Sequence, residues 1–208
     1  MLSKNYDLKS FCSLTDNFNI HYKYDLLDKK KADKYFNILE DKLEYLAPKD
    51  STIEVNGTEF EIKRKLTTYG SKEVADAFTF TKCWDDNDIV SKVIRNIKHK
   101  AEVFTGLKFN YVVINRYKDG IEGIGYHRDR ELGEGASITG VSLGAARDFQ
   151  FKAVKGFYPQ VVDPNLTINL AHGSIYVIKS PTNGYWKHAV PKRSGVHRPR
   201  ISLTFRYV

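Results

Sequence analysis

Residues 199–206 read Pro199-Arg200-Ile201-Ser202-Leu203-Thr204-Phe205-Arg206, a strict polar/apolar alternation that marks a β-strand. The even positions Arg200, Ser202, Thr204 and Arg206 share one face, and Ile201, Leu203 and Phe205 share the other. An apolar core does not tolerate two unpaired arginines, so the polar face either meets solvent or holds an anion. Working backward, Phe109–Tyr117, Ser137–Leu143, Asp148–Ala153, Thr167–Leu170 and Ser174–Ile178 are strand-like runs separated by Gly, Asn and Asp clusters. Many short strands after a helical N-terminal part imply an α+β chain. The expected core is a double-sheeted β-sandwich or a jelly roll (double-stranded β-helix), buttressed by N-terminal helices.

The helices come from the upstream half. Residues 31–46 place Tyr35, Ile38, Leu39, Leu43 and Leu46 on one stripe that Pro48 closes. Asn87 or Asp88 can cap a second helix whose inward face is Val90, Val93, Ile94, Ile97, Ala101 and Phe104, ended by Gly106. Between them, Asn56-Gly57 flanked by alternating β-formers over residues 53–62 is a strong two-residue hairpin signal, expected to project from the sheet. Residues 1–50 read as an N-terminal extension with a helix, packed as one domain with the body at 51–208.

The 208 residues suffice for a single core burying roughly 70% of the unfolded chain's surface, with no need of disulfides. Cys12 and Cys83 are too few for a secreted framework, and no apolar window suggests a signal peptide or membrane span. The expected setting is inside the cell, in nucleus or cytoplasm. The net charge of +8 falls entirely after residue 50, where 24 basic residues face 16 acidic ones. Lys187–Val208 holds six basic residues and no acidic one. Such a face attracts polyanions, although a merely soluble basic surface would look the same.

His127-Arg128-Asp129 sets an imidazole and a carboxylate two residues apart, on one side of an extended chain. Alone, this pattern also fits a surface turn after Gly123 and Gly125. His188 follows 59 residues beyond Asp129, in an extended stretch that a double-sheeted fold can return to the first pair. Two histidines and a carboxylate with open positions form the facial triad of non-haem Fe(II) oxygenases; zinc in the same ligands would favour hydrolysis. An anchored anion discriminates, because 2-oxoglutarate needs a cation for its far carboxylate, and arginine clamps one with two hydrogen bonds.

Asn115-Arg116-Tyr117-Lys118-Asp119-Gly120, His127-Arg128-Asp129, Ser142-Leu143-Gly144-Ala145 before Arg147-Asp148-Phe149, Ala171-His172-Gly173-Ser174, Pro181-Thr182-Asn183, Trp186-Lys187-His188 and Pro199 through Arg206 occur in this order. Together they resemble the AlkB family of Fe(II)/2-oxoglutarate nucleic-acid dealkylases, most of all its eukaryotic duplex-DNA repair branch, from about Val55 to Val208. The resemblance implies iron ligands at His127, Asp129 and His188, and a cosubstrate pocket at Asn115, Tyr117, Arg200, Ser202, Thr204 and Arg206. Arg200 would clamp the distal carboxylate. Ser202 stands where the family usually has asparagine.

It also implies substrate contacts. Tyr69-Gly70 and Phe78-Thr79-Phe80 match the family's substrate lid, whose aromatics stack on a flipped base, although Phe78 and Phe80 would equally suit a core strand. Lys63-Arg64-Lys65 would grip phosphates, Arg64 foremost. The hairpin tip Val55-Asn56-Gly57 lacks the bulky wedge of the duplex-repair relatives, and Arg130-Glu131 replaces acidic residues that follow the aspartate there. The expected activity is oxidative dealkylation of DNA bases, consuming 2-oxoglutarate and O2 and releasing succinate, carbon dioxide and an aldehyde. Methylated RNA or single strands, or a non-catalytic nucleic-acid binder, are the alternatives. A monomer without membrane attachment is expected.

Overall fold

The computed structural model describes residues 10–15, 17–55, 57–85, 87–129, 135–156 and 166–208. The first 50 residues contribute strands β1 (Ser10–Thr15) and β2 (Phe18–Lys23) and helix α1 (Lys29–Lys42). Then come the hairpin strands β3 (Thr52–Val55) and β4 (Thr58–Glu61), β5 (Lys65–Gly70), α2 (Lys72–Ala77), β6 (Thr81–Cys83) and α3 (Ile89–Thr105). The remainder is β7 (Tyr111–Tyr117), β8 (Ile124–His127), β9 (Ile138–Gly144), β10 (Arg147–Ala153), β11 (Thr167–Leu170), β12 (Ser174–Ile178), a helical turn α4 (Thr182–Tyr185), β13 (Trp186–Val190) and β14 (Arg200–Arg206).

An eight-stranded sheet in the order β1-β2-β12-β9-β14-β7-β5-β6 packs against a four-stranded sheet, β11-β10-β13-β8, and β3-β4 stand apart as a separate ribbon. This is the expected jelly roll. One face of the large sheet, including Val112, Ile114, Val141, Leu143, Ile201, Leu203 and Phe205, packs on α1 and α3. Its other face meets the small sheet through Phe18, Ile20, Phe149, Phe151, Tyr176 and Trp186. Strand β14 lies between β9 and β7, so both its edges are paired and both its faces buried. Gly140 leaves room for Tyr176, because a Cβ there would sit 2.2 Å from that ring.

Asp88 caps α3 by accepting from Val90 and Ser91 N–H, and Gly106 ends it at φ 71°. Two helix expectations need correction. Helix α1 stops at Lys42 rather than running to 46, because Leu46 N–H turns away to bond the Leu66 carbonyl. Phe104 is exposed on α3 rather than inward, with the Lys23 ammonium over its ring. The N-terminal segment enters the main sheet, since β2 pairs with β12, and its burial alternates with Phe18, Ile20 and Tyr22 inward. His172 ties α1 to the sheet: its Nδ1 accepts from Gly144 N–H, and its Nε2 lies 3.1 Å from Asp33. No described helix is long and apolar enough to cross a membrane.

Candidate metal and cosubstrate site

Between the sheets lies a cavity of about 890 Å³, lined by the polar residues of β14 and by β7, β8 and β13. Cross-strand register sets His188 of β13 opposite His127 of β8. Between this pair and the next, Val190 and Ile124, Gly125 and Tyr126 oppose Ala189 alone, a β-bulge that bends β8. The bulge turns the Gly125 carbonyl to His127 Nδ1 at 2.9 Å. A carbonyl can only accept, so Nδ1 carries a proton, which leaves Nε2 as the ring atom placed to meet a cation.

Asp129 follows β8 and is held by Asn183, whose Oδ1 accepts from Asp129 N–H at 3.1 Å and whose Nδ2 donates to its carbonyl at 2.8 Å. Asp129 Oδ1 lies 3.5 Å from His127 Nε2 and 3.7 Å from His188 Nε2. Ligand atoms of all three residues fall within 4.8 Å of one another, a spacing that one ion can bridge. Burial, then the neighbouring His127, pushes His188 down to about 3, so its ring is neutral and ready to ligate. Burial opposes ionisation of Asp129, but His127, Arg206 and His188 outweigh it and hold its carboxyl below the ordinary range. The donor set is two imidazoles and one carboxylate, which fits Fe(II).

The floor is β14. Arg200 is 2% exposed; its Nε donates to Ser142 Oγ at 2.8 Å, its Nη2 to Ser202 Oγ at 3.3 Å, and its guanidinium lies over the Tyr117 ring at 5.3 Å. Among the described residues no carboxylate pairs with it, and Nη1 is buried without a hydrogen-bond partner. Burial disfavours the charge of this cation. A carboxylate entering the cavity would satisfy it, so the site fits 2-oxoglutarate as well as the metal. Arg206 Nη2 donates to Asp129 Oδ2 at 2.5 Å, which joins the anion floor to the ligand set. Asn115, Tyr117, Ser202 and Thr204 line the same cavity, as does Tyr176, whose hydroxyl burial pushes up to about 12.

The substrate residues divide. Arg64 lines the cavity and donates from Nε to Asn115 Oδ1 at 2.8 Å, so it reaches the cosubstrate wall as well as the mouth. Lys65 points away, over the Tyr45 ring. Tyr69 is corrected: Leu66 and Thr68 of β5 face the cavity, and Tyr69, 5% exposed, belongs to the helix-side core. Phe78 and Phe80 are 45% and 55% exposed rather than core residues. Phe78 stacks on Tyr111, which lines the cavity, and Phe80 holds φ 66°, an uncommon setting for a bulky side chain. Gly57 turns the hairpin at φ 77° and is exposed; Asn56, Arg130, Glu131 and the Val55 side chain lie outside the described residues.

Two supporting residues carried no assigned role from sequence. Asn183 sits in Pro181-Thr182-Asn183, and that motif was the available signal for it. Arg147 is 1% exposed and donates to the carbonyls of Asp119, Glu122 and Pro191, gathering the chain just before β8 and just after β13. It thereby fixes the ends of both strands that carry the histidines.

Fold, triad and buried arginine together define a metal- and 2-oxo-acid-dependent oxygenase, and the chain belongs to the 2OG-Fe(II) oxygenase superfamily, which it matches over residues 19–206. Its relatives make the branch AlkB-type. It is 39% identical over 191 residues to the DNA oxidative demethylase ALKBH2 of Mus musculus, covering 88% of this chain and 77% of that protein. The Homo sapiens and Bos taurus proteins of the same name are each 38% identical over 187 residues, covering 88% of this chain and 71% and 66% of theirs. A solved structure, that of OsALKBH1, superposes with a TM-score of 0.61 at 13% identity, over 96% of this chain and 100% of that one. The likeness supports the fold. The family's cofactor is Fe(II), with 2-oxoglutarate and O2 as cosubstrates.

Proposed function

We propose that this chain removes N-alkyl groups from DNA bases by oxidation, with His127, Asp129 and His188 as iron ligands and Arg200 as the clamp on 2-oxoglutarate. The observation that carries the reading is a buried Arg200, with no carboxylate partner among the described residues, on the floor of the cavity that holds the triad. Relatives bearing the name DNA oxidative demethylase at 38–39% identity supply the substrate class. When bound, the iron with its cosubstrates supplies hydroxylation of an N-alkyl carbon, whose product sheds an aldehyde and restores the base, while 2-oxoglutarate ends as succinate and carbon dioxide.

The protein's share is position and electrostatics. Gly125 fixes the tautomer of His127, and Asn183 aims Asp129 through its backbone. Arg200 with Ser202, Asn115, Tyr117 and Thr204 orients the cosubstrate, and Arg206 steadies both Asp129 and the iron-proximal end. Phe78 and Phe80 offer flat faces at the rim for a base taken out of its stack, and Lys63 and Arg64 offer charge to its phosphates. The reading takes the chain as a monomer that acts on DNA inside the cell. The test is anaerobic reconstitution with Fe(II), followed by turnover on matched methylated single-stranded DNA, duplex DNA and RNA. Aldehyde and succinate released together on DNA support the reading; release on RNA alone overturns the DNA assignment.

A further inference from the structure

The small sheet has a second face, turned to solvent. Along β10, Phe149 and Phe151 are buried, whereas Gln150 is half-buried and Lys152 exposed; along β13, Lys187 is exposed between buried Trp186 and His188. The register sets Lys152 directly opposite Lys187. Like charges in that position repel, and no carboxylate among the described residues relieves them. Asp148, the acid of β10, is taken by Arg193 at 2.7 Å.

Tyr126 and Arg128 connect this face to the cavity. Strand β8 is the edge of the small sheet, and both residues are exposed yet line the cavity. The Tyr126 hydroxyl reaches Gln150 Oε1 at 3.2 Å, and Lys152 Nζ lies 5.9 Å from its ring centroid. That anchors an exposed aromatic ring at the sheet edge with a cation over one of its faces. Arg128 donates from one nitrogen to the Gly184 carbonyl at 2.8 Å, which holds its charge at the rim.

We propose that Tyr126, Arg128, Lys152 and Lys187 form a contact track for the nucleic-acid strand that carries the target base, leading it from the cavity mouth round β8 onto the outer face. The proposal rests on the nucleic-acid reading above. Phosphates relieve the lysine pair, and the Tyr126 ring gives a base a sequence-tolerant stacking platform. The lysine pair adds to binding without touching the reacting atoms, so it matters only for strands long enough to pass Tyr126 and Arg128 and reach it.

The test uses the Fe(II)-loaded full chain and the double variant Lys152→Gln/Lys187→Gln. Binding is read by fluorescence anisotropy on single-stranded oligonucleotides of about five and about twenty nucleotides across a salt series, with turnover on their methylated forms. The long strand should bind about three- to tenfold more weakly to the variant, and its log–log salt slope should fall by about 1 to 2, as expected for two phosphates. Affinity and turnover on the short strand should not change. Tyr126→Ala should weaken the long strand further and Tyr126→Phe should not. Unchanged affinity and slope for the long strand overturn the track and leave the function standing. Equal losses at both lengths also overturn it, placing the lysines at the mouth. A wild-type protein that binds neither strand and releases no aldehyde instead removes the reading on which the track rests.

Discussion

Arg200 on the cavity floor and Phe80, whose backbone carbonyl accepts from the hydroxyl of cavity-lining Thr68 at 3.4 Å, are held in opposite ways. Arg200 sits on a strand paired on both edges, inside two packed layers, with two serine hydroxyls and a tyrosine ring fixing its guanidinium. Phe80 sits in a short connection with its ring largely in solvent and its backbone in the left-handed region. On the proposed function the floor is over-determined, as suits the holding of one small dianion beside an iron. The rim leaves its aromatic faces unfilled, as suits a large, variable polymer. On that reading chemistry is built into the centre of the fold and substrate choice into its edges.

The floor should therefore break completely where the rim only weakens. The largest effect is expected from Asp129→Ala, which removes the sole carboxylate from the ligand set and leaves two neutral imidazoles for a dication. Turnover should fall to background and Fe(II) affinity should drop, with the thermal unfolding transition retained. Wild-type turnover at saturating iron would remove Asp129 from the site. Next comes Arg200→Lys, which trades a fork for a point charge. Losing about 1.5–3 kcal/mol of charged hydrogen bonding should raise the 2-oxoglutarate requirement roughly 10- to 100-fold and leave oligonucleotide affinity unchanged. If nucleic-acid binding falls instead, Arg200 serves the surface.

The same division explains what could be read in advance. Alternation over 200–206 is legible because β14 has one apolar and one functional face, and the caps Asp88 and Gly106 are legible because their chemistry is local. Strand β8, Ile124-Gly125-Tyr126-His127, is hidden because its residues are chosen for a bulge and a ligand rather than for burial. Strand β2 shows its alternation in Phe18, Ile20 and Tyr22 and pairs locally with β1; what no local pattern could show is that its other edge joins the main sheet through β12, some 150 residues away. Tyr69 shows the limit of motif matching, since one residue of parity along β5 decides between cavity and core. No single segment could reveal that Arg147 gathers three carbonyls from two distant loops.

At the rim the effects should be smaller and confined to substrate. Phe80→Ala removes a stacking face worth about 1–3 kcal/mol per base, so KM for a methylated oligonucleotide should rise roughly 5- to 100-fold. The 2-oxoglutarate requirement should stay put. A parallel rise in both would mean that the loop supports the floor, and the contrast between the two regions would fail.

The smallest effect is expected at the hairpin, a two-stranded ribbon set apart from both sheets. A duplex demands a few kcal/mol for unstacking and flipping, least where the base is damaged or already single-stranded. An apolar wedge at the tip offsets part of that cost, and this tip reads Val55-Asn56-Gly57. Methylated single-stranded DNA should therefore be repaired faster than the same lesion in a duplex. Asn56→Phe should narrow the gap a few-fold by raising the duplex rate alone. Lys63 and Arg64 line the cavity whichever substrate is offered, so any contact they make would be shared and could not create the difference. Equal wild-type rates on both substrates at matched salt would assign the wedge to another side chain, and an Asn56→Phe gain on single strands as well would show that the new ring adds affinity rather than filling a gap.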